Sequence, residues 1–169
     1  MKKKFLIAEK EVDLVLLKKL ISGECSDEIK FVVGGGGSAA IALASSILYD
    51  KPDSYVSLVL DADTADPSSI QEKHDFIDWQ MGKMSANRSY DIHLFVPAIE
   101  ALLINHGVVE VNQKVSFDPK ATLTEVLKKK GVTLSEFIST LPPDSIKALK
   151  EDQVVQNIVH GFQKEAAHV

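Results

Sequence analysis

One cysteine, one arginine and one tryptophan are all that this chain of 169 residues holds of those types. A single thiol, Cys25, leaves no partner for an internal disulfide, so a disulfide-stapled scaffold is excluded and the reducing cytoplasm is the expected compartment. No apolar run approaches the ~20 residues needed to cross a bilayer, so no membrane span is expected. The start, Met1-Lys2-Lys3-Lys4, is basic. The apolar stretch behind it, Phe5-Leu6-Ile7-Ala8, is cut off by Glu9 and is too short for a signal peptide. Positive charge is also scarce: 19 basic against 24 acidic residues give a net charge of −5. With a pI near 5.5, the chain lacks the basic face of a protein that reads duplex sequence directly. An enzyme that meets phosphates through metal ions stays compatible, because the ion supplies the local positive charge.

What is present is ordinary in amount: 45% hydrophobic and 25% charged residues, the composition of a globular domain. Its order is more informative. Residues 3–8 (KKFLIA), 29–33 (IKFVV), 55–60 (YVSLVL) and 90–96 (YDIHLFV) read as strands. Segments 11–21, 38–48, 67–80 and the stretch from Pro97 to Ile104 read as helices between and after them. Ser38 is the expected N-cap of the second helix, and Pro67 suits the first turn of the third. Strand–helix alternation over about a hundred residues predicts an α/β fold with a mainly parallel four-stranded sheet flanked by helices. The third strand, apolar on both faces except Ser57, suits a central position. Beyond residue 107 the chain turns helical. Thr122 with Glu125 and Thr133 with Glu136 stand at capping-box spacing, Pro142-Pro143 breaks the chain, and a last helix runs from Asp144 to about Lys164. Two or three helices, residues 108–169, are thus expected to lie on a sheet domain of residues 1–107.

Ligands of open α/β sheets bind beyond the carboxyl ends of the strands. Three of the four predicted strand ends deliver acids there: Glu9, the pair Asp61 and Asp63, and Glu100. Two carboxylates at i and i+2 can face one hard cation, which takes carboxylate oxygens together with water and substrate phosphate. If the first and third strands adjoin, Glu9 joins them, and such crowding is costly without a cation. The bland reading is turn chemistry, with Asp63 or Asp66 capping the helix at Pro67. Gly34, Gly35, Gly36 and Gly37 with Ser38 link a strand to a helix of small residues. They form either a tight turn for close packing or a row of amides that holds a phosphate group. Gly34-x-Gly36-x-x-Ala39 also fits the loose dinucleotide fingerprint with Asp61 on a ribose; a P-loop is excluded, since no Lys-Ser or Lys-Thr closes the run. Asp61-Ala62-Asp63-Thr64 is similar to the haloacid-dehalogenase signature, but Ala65 stands where that family has Thr or Val, and its later acidic motif is missing.

His74, His93, His106, His160 and His168 form no zinc-ligand spacing with Cys25; His93 reads as a satisfied, partly buried strand residue. Lys128-Lys129-Lys130 reads as a solvated helix end, and Trp79 and Met81 as packing residues.

The order of these features resembles the Toprim domain of topoisomerases, bacterial primases, small ribonucleases of the M5 type and OLD-family nucleases. A first strand ends in Glu (FLIAE), a second runs into a glycine turn (FVVGGGG), and a third ends in Asp-x-Asp (LVLDAD). The segment FVPAIEALLI, with Glu100, looks like the fourth-strand region of OLD-like members. The likeness covers about residues 3–106. It implies a Rossmann-like sheet in which Glu9, Asp61 and Asp63 gather Mg²⁺ (or Mn²⁺), with Glu9 as base or ligand. The implied activity is metal-dependent phosphoryl transfer on nucleic acid, as a nuclease. Asp66, Lys83, Arg88 and Glu100 are auxiliary candidates. Lys10 stands where many members have Gly, and Asp66 is one place beyond the family's third acid. The alternatives are a non-catalytic Toprim-fold module within a multi-protein system and a nucleotide-binding protein using the glycine turn. An acidic chain without a DNA-binding module points to a partner protein, or a homodimer, for any nucleic-acid contact.

Overall fold

The computed structural model describes residues 2–25, 28–111 and 118–166. Strands β1 (Lys3–Ala8), β2 (Ile29–Val33), β3 (Ser54–Asp61) and β4 (Tyr90–Phe95) form one sheet in the order β2-β1-β3-β4, with every neighbouring pair parallel. Helices α1 (Glu11–Ile21), α2 (Gly37–Asp50) and α3 (Pro67–Met84) provide the crossovers between strands. α4 (Glu100–Asn105) follows β4, and α5 (Pro119–Lys130), α6 (Leu134–Ser139), α7 (Pro143–Lys150) and α8 (Gln153–Ala166) form the C-terminal extension. This is the expected α/β architecture, a parallel, Rossmann-like sheet covered on both faces.

Burial follows from strand position. Every residue of central β3 is buried, Ser57 included, while edge strand β2 is half exposed. Alternation divides the side chains between two cores. Phe5, Ile7, Val56, Leu58 and Leu60 meet α2 and α3. Leu6, Ala8, Tyr55, Val59 and Phe95 meet α1, α4 and the extension. Residues from both sides of position 107 therefore share one core. No helix is long and apolar enough to cross a membrane among the described residues.

Four local expectations are corrected. α2 is capped by Gly36, with φ 119°, not by Ser38, which lies inside the first turn; only a residue without Cβ adopts that backbone cheaply. α4 begins at Glu100 rather than Pro97, because the Pro97 carbonyl accepts the Asp63 N–H at 2.8 Å and ties this segment to the end of β3. Asp118, not Thr122, caps α5 by accepting the N–H groups of Lys120 and Ala121, so Thr122 and Glu125 lie within the helix. Among the described residues the extension has four helices instead of two or three, since Asp152 caps α8 through Val154 and Val155 and splits the last stretch. The Thr133–Glu136 capping box is present in full.

The extension locks onto the sheet at Gly161. Tyr55 Oη donates to Asp91 Oδ2 at 2.7 Å beneath α8; burial first, then this bond, holds the phenol above its ordinary pKa. A Cβ on Gly161 would strike Tyr55 Oη and lie 2.8 Å from Asp91 Oδ2. Gly161→Ala is therefore expected to cost about 1–3 kcal/mol, the range for overpacking a filled site. At ~2–4 °C per kcal/mol for this size, a thermal melt would show a fall of several degrees; an unchanged melt would mean α8 sits farther from the sheet.

Candidate functional site

β1 and β3 are neighbours, so their carboxyl ends deliver Glu9 and Asp61 side by side. The glycine turn fixes Glu9 from behind. Gly34 N–H donates to the Ala8 carbonyl at 2.7 Å, and the N–H groups of Gly35 and Gly36 both donate to the Glu9 carbonyl at 3.0 Å. The Glu9 carboxylate, 8% exposed, accepts the Asp61 N–H at 3.1 Å through Oε1.

Asp61 is more enclosed still, at 2% exposure. Its Oδ1 accepts the Ile99 N–H at 2.8 Å, and its Oδ2 lies 3.1 Å from Lys120 Nζ. Its peptide carbonyl accepts from Lys73 Nζ at 2.6 Å. Asp63 turns outward with φ 60°, a left-handed backbone that Asp tolerates better than most residues. Its two oxygens face Lys120 at 3.4 Å and Lys73 at 3.3 Å. The Lys120 ammonium thus stands between the two aspartates.

Two more acids sit behind them. Glu100, at the head of α4, is 8% exposed and its Oε2 has no hydrogen-bond partner. Burial, with the Asp61 charge added, raises its pKa. Asp13, in the first turn of α1, is 5% exposed and its pKa is pushed up to about 7, first by burial and then by the Asp61 charge, with smaller contributions from Glu100 and Glu9 against the pull of Lys10. Lys120 answers this field. Burial lowers its pKa, but the Asp61 contact and the charges of Asp61, Asp63 and Glu100 outweigh that and raise it overall. The site is a knot of acids at the sheet's carboxyl edge, held by lysines from α3 and α5.

The structure brings together Glu9, Asp61, Asp63 and Glu100 of the residues singled out from sequence. It sets Asp66, Lys83 and Arg88 apart. Asp66 is the exposed cap of α3, accepting the Ser69 N–H and hydroxyl at 2.8 Å. Lys83 and Arg88 stand at the opposite end of the sheet, near the start of β4; Lys83 Nζ lies 3.2 Å from the centre of the Trp79 ring, and Arg88 pairs with Asp78 at 2.8 Å. In the glycine turn, the Gly35 and Gly36 amides are committed to Glu9. The first-turn amides of Gly37 and Ser38 remain for an anion, and a Cβ on Gly37 would lie 3.5 Å from Glu9 Oε1, so an anion there would face a carboxylate.

Other readings change as well. His93 is buried rather than partly buried; its Nε2 has no partner, and burial lowers its pKa to about 4. His106 Nε2 lies 3.1 Å from Asp152, and His168 lies outside the described residues. Met81 is a core residue as expected, but Trp79 is 58% exposed.

Sequence reasoning missed Asp13, Lys73 and Lys120. Asp13 carried a signal: it shares the helical face of Leu16, Leu17 and Leu20 at i+3, i+4 and i+7, so an acid was due to be buried there. Lys120 carried none, since it comes 57 residues after Asp63 from another part of the fold.

Among the described residues, no three His, Cys, Asp or Glu side chains converge closely enough to hold a metal ion. A cation at the Asp61–Asp63 pair would occupy the place of the Lys120 ammonium. Glu100 Oε2 is a buried oxygen without a hydrogen-bond partner, and Asp61 Oδ2 has only its 3.1 Å ion pair with Lys120; hard divalent ions take carboxylate oxygens of this kind. No model of a known protein family matches the chain, and no curated protein matches it at a significant level.

Proposed function

We propose that the chain is a small Toprim-type, Mg²⁺-dependent phosphoryl-transfer enzyme that acts on nucleic acid as a nuclease. The observation that carries this reading is the juxtaposition of Glu9 and Asp61 on adjoining parallel strands, joined by a 3.1 Å hydrogen bond, with Asp63 two residues beyond. In this reading Asp61 and Asp63 are the ligands of Mg²⁺ or Mn²⁺. Glu9, held rigid by the glycine turn, takes the proton of the attacking water or adds a ligand. A divalent ion bound there would supply charge for the scissile phosphate and an acidified water. Lys120 would leave the aspartates and turn its ammonium toward the phosphate. With a net charge of −5, substrate binding would need a partner protein or a second copy.

A second reading, a non-catalytic module of the same fold, is favoured by one observation: Lys120, at 3.1 and 3.4 Å from the two aspartates, neutralises them without any metal. The nucleotide-binding reading has less support, because Asp61 is buried away from any ribose and two amides of the glycine turn are already used.

Thermal unfolding in EDTA, Mg²⁺ and Mn²⁺ separates them. A ligand at a hundred times its dissociation constant stabilises by about 2.7 kcal/mol, or ~5–10 °C at this size. Under the enzymatic reading wild type gains that shift and Asp61→Ala/Asp63→Ala loses it, and cleavage of single- and double-stranded DNA and RNA is then assayed. No shift in millimolar metal would sink the catalytic reading and leave the module.

A further inference from the structure

The exposed apolar side chains are concentrated on one face, away from the acid knot. Of the large hydrophobic residues left exposed among the described ones, Tyr49, Phe76, Trp79 and Met84 belong to α2 and α3. Phe76 and Trp79 are 55% and 58% exposed and stack on each other with ring centres 6.4 Å apart. They border a groove of about 430 Å³ between the two helices, floored by Ile41, Ala42 and Ser45. Exposed apolar patches of this kind mark interaction surfaces.

The order of residues along α3 says what covers it. Glu72, Phe76, Trp79 and Lys83 are all exposed and fall at spacings of four, three and four residues, the rhythm of a coiled-coil seam. The seam is also a charge palindrome about its centre, between Ile77 and Asp78. Laid antiparallel on a second copy of itself, α3 sets Glu72 against Lys83 at each end and Phe76 against Trp79 in the middle. A surface complementary to itself under a two-fold axis is what an isologous dimer requires.

We propose that the outer face of α3 is the interface of a homodimer of this chain, with the aromatic rings at its centre, entering the α2–α3 groove of the other copy, and two Glu72–Lys83 pairs at its rim. The proposal goes beyond the enzymatic reading and does not depend on it.

Sedimentation equilibrium and fluorescence test it together. Trp79 is the chain's single tryptophan, so its emission reports this face alone. Wild type should dimerise, and Trp79 emission should move to shorter wavelength as concentration rises. Glu72→Lys and Lys83→Glu should each weaken the dimer about ten-fold or more by setting like charges opposite each other, and the double variant should restore it, as direct pairing of these two positions requires. Phe76→Asp should give a monomer whose circular dichroism matches wild type, since the residue is exposed. A wild type that remains monomeric at about 100 μM, where even weak specific dimers form, overturns the proposal. So does a dimer whose Trp79 emission is unmoved, or one that the charge swap does not rescue.

Discussion

Gly34→Ala is expected to lower the stability of the fold by more than about 4 kcal/mol. The added Cβ would strike the Cβ of Ala40 and lie 2.5 Å from its Cα and 3.0 Å from its backbone nitrogen. Ala40 is fully buried within the first turns of α2, so the obstacle is backbone and cannot swing aside. Relief would require α2 to back away from the sheet, opening the core at Ile47 and Leu48 and releasing the turn that holds Glu9. Overpacking alone costs about 1–3 kcal/mol; with helix displacement added, the loss should exceed ~4 kcal/mol, a large share of a domain's total stability. Gly35→Ala is the control. It meets nothing within 4 Å, but its φ of 84° lies in the left-handed region, so it should cost only about 1–2 kcal/mol. Urea unfolding of both variants decides the matter: a Gly34→Ala midpoint close to that of Gly35→Ala would show that α2 is not pressed onto the turn.

Asp13→Asn should stabilise the protein in alkali and do nothing in acid. The Asp13 pKa rises from 3.8 to about 7 on folding, so between those values the folded chain holds a proton that the unfolded chain has released. Stability then falls as pH rises through this window and levels off above it. At 1.36 kcal/mol per pKa unit, the whole shift corresponds to at most about 4 kcal/mol. The asparagine variant removes this penalty, so its melting point in EDTA should exceed that of wild type by up to ~10 °C at about pH 8 and match it at about pH 4. A difference that does not vary with pH would mean that Asp13 is not ionising in a buried site.

The inner strands could be read from the sequence because parallel strands buried on both faces appear as short continuous apolar runs; β1 occupies the predicted residues and β3 extends one residue past them at each end. α1 was equally plain from its periodicity. Glu9, Asp61 and Asp63 were legible for a topological reason, since the carboxyl ends of parallel strands gather on one edge whatever the crossovers contain. Lys120 was not, because the approach of α5 to β3 depends on packing between distant segments. Trp79 was misjudged for a related reason: a periodic aromatic stripe shows that a helix face is apolar, but not whether the same chain covers it. The split of the last helical stretch at Asp152 was missed because a single acid seldom announces a cap between two helical segments without a glycine or proline beside it.

The position of β1 has a consequence for synthesis. As an inner strand it pairs with β2 and β3, yet it is synthesised before either and must wait for both. Its last ties come later still: Lys4 donates to the Phe162 carbonyl at 3.1 Å and Lys2 pairs with Glu165 at 2.8 Å, across 158 and 163 positions of chain. Contacts so distant in sequence slow folding. The growing chain therefore keeps β1 without both strand partners until β3 is made, and the side-chain ties of Lys2 and Lys4 close only when α8 has emerged.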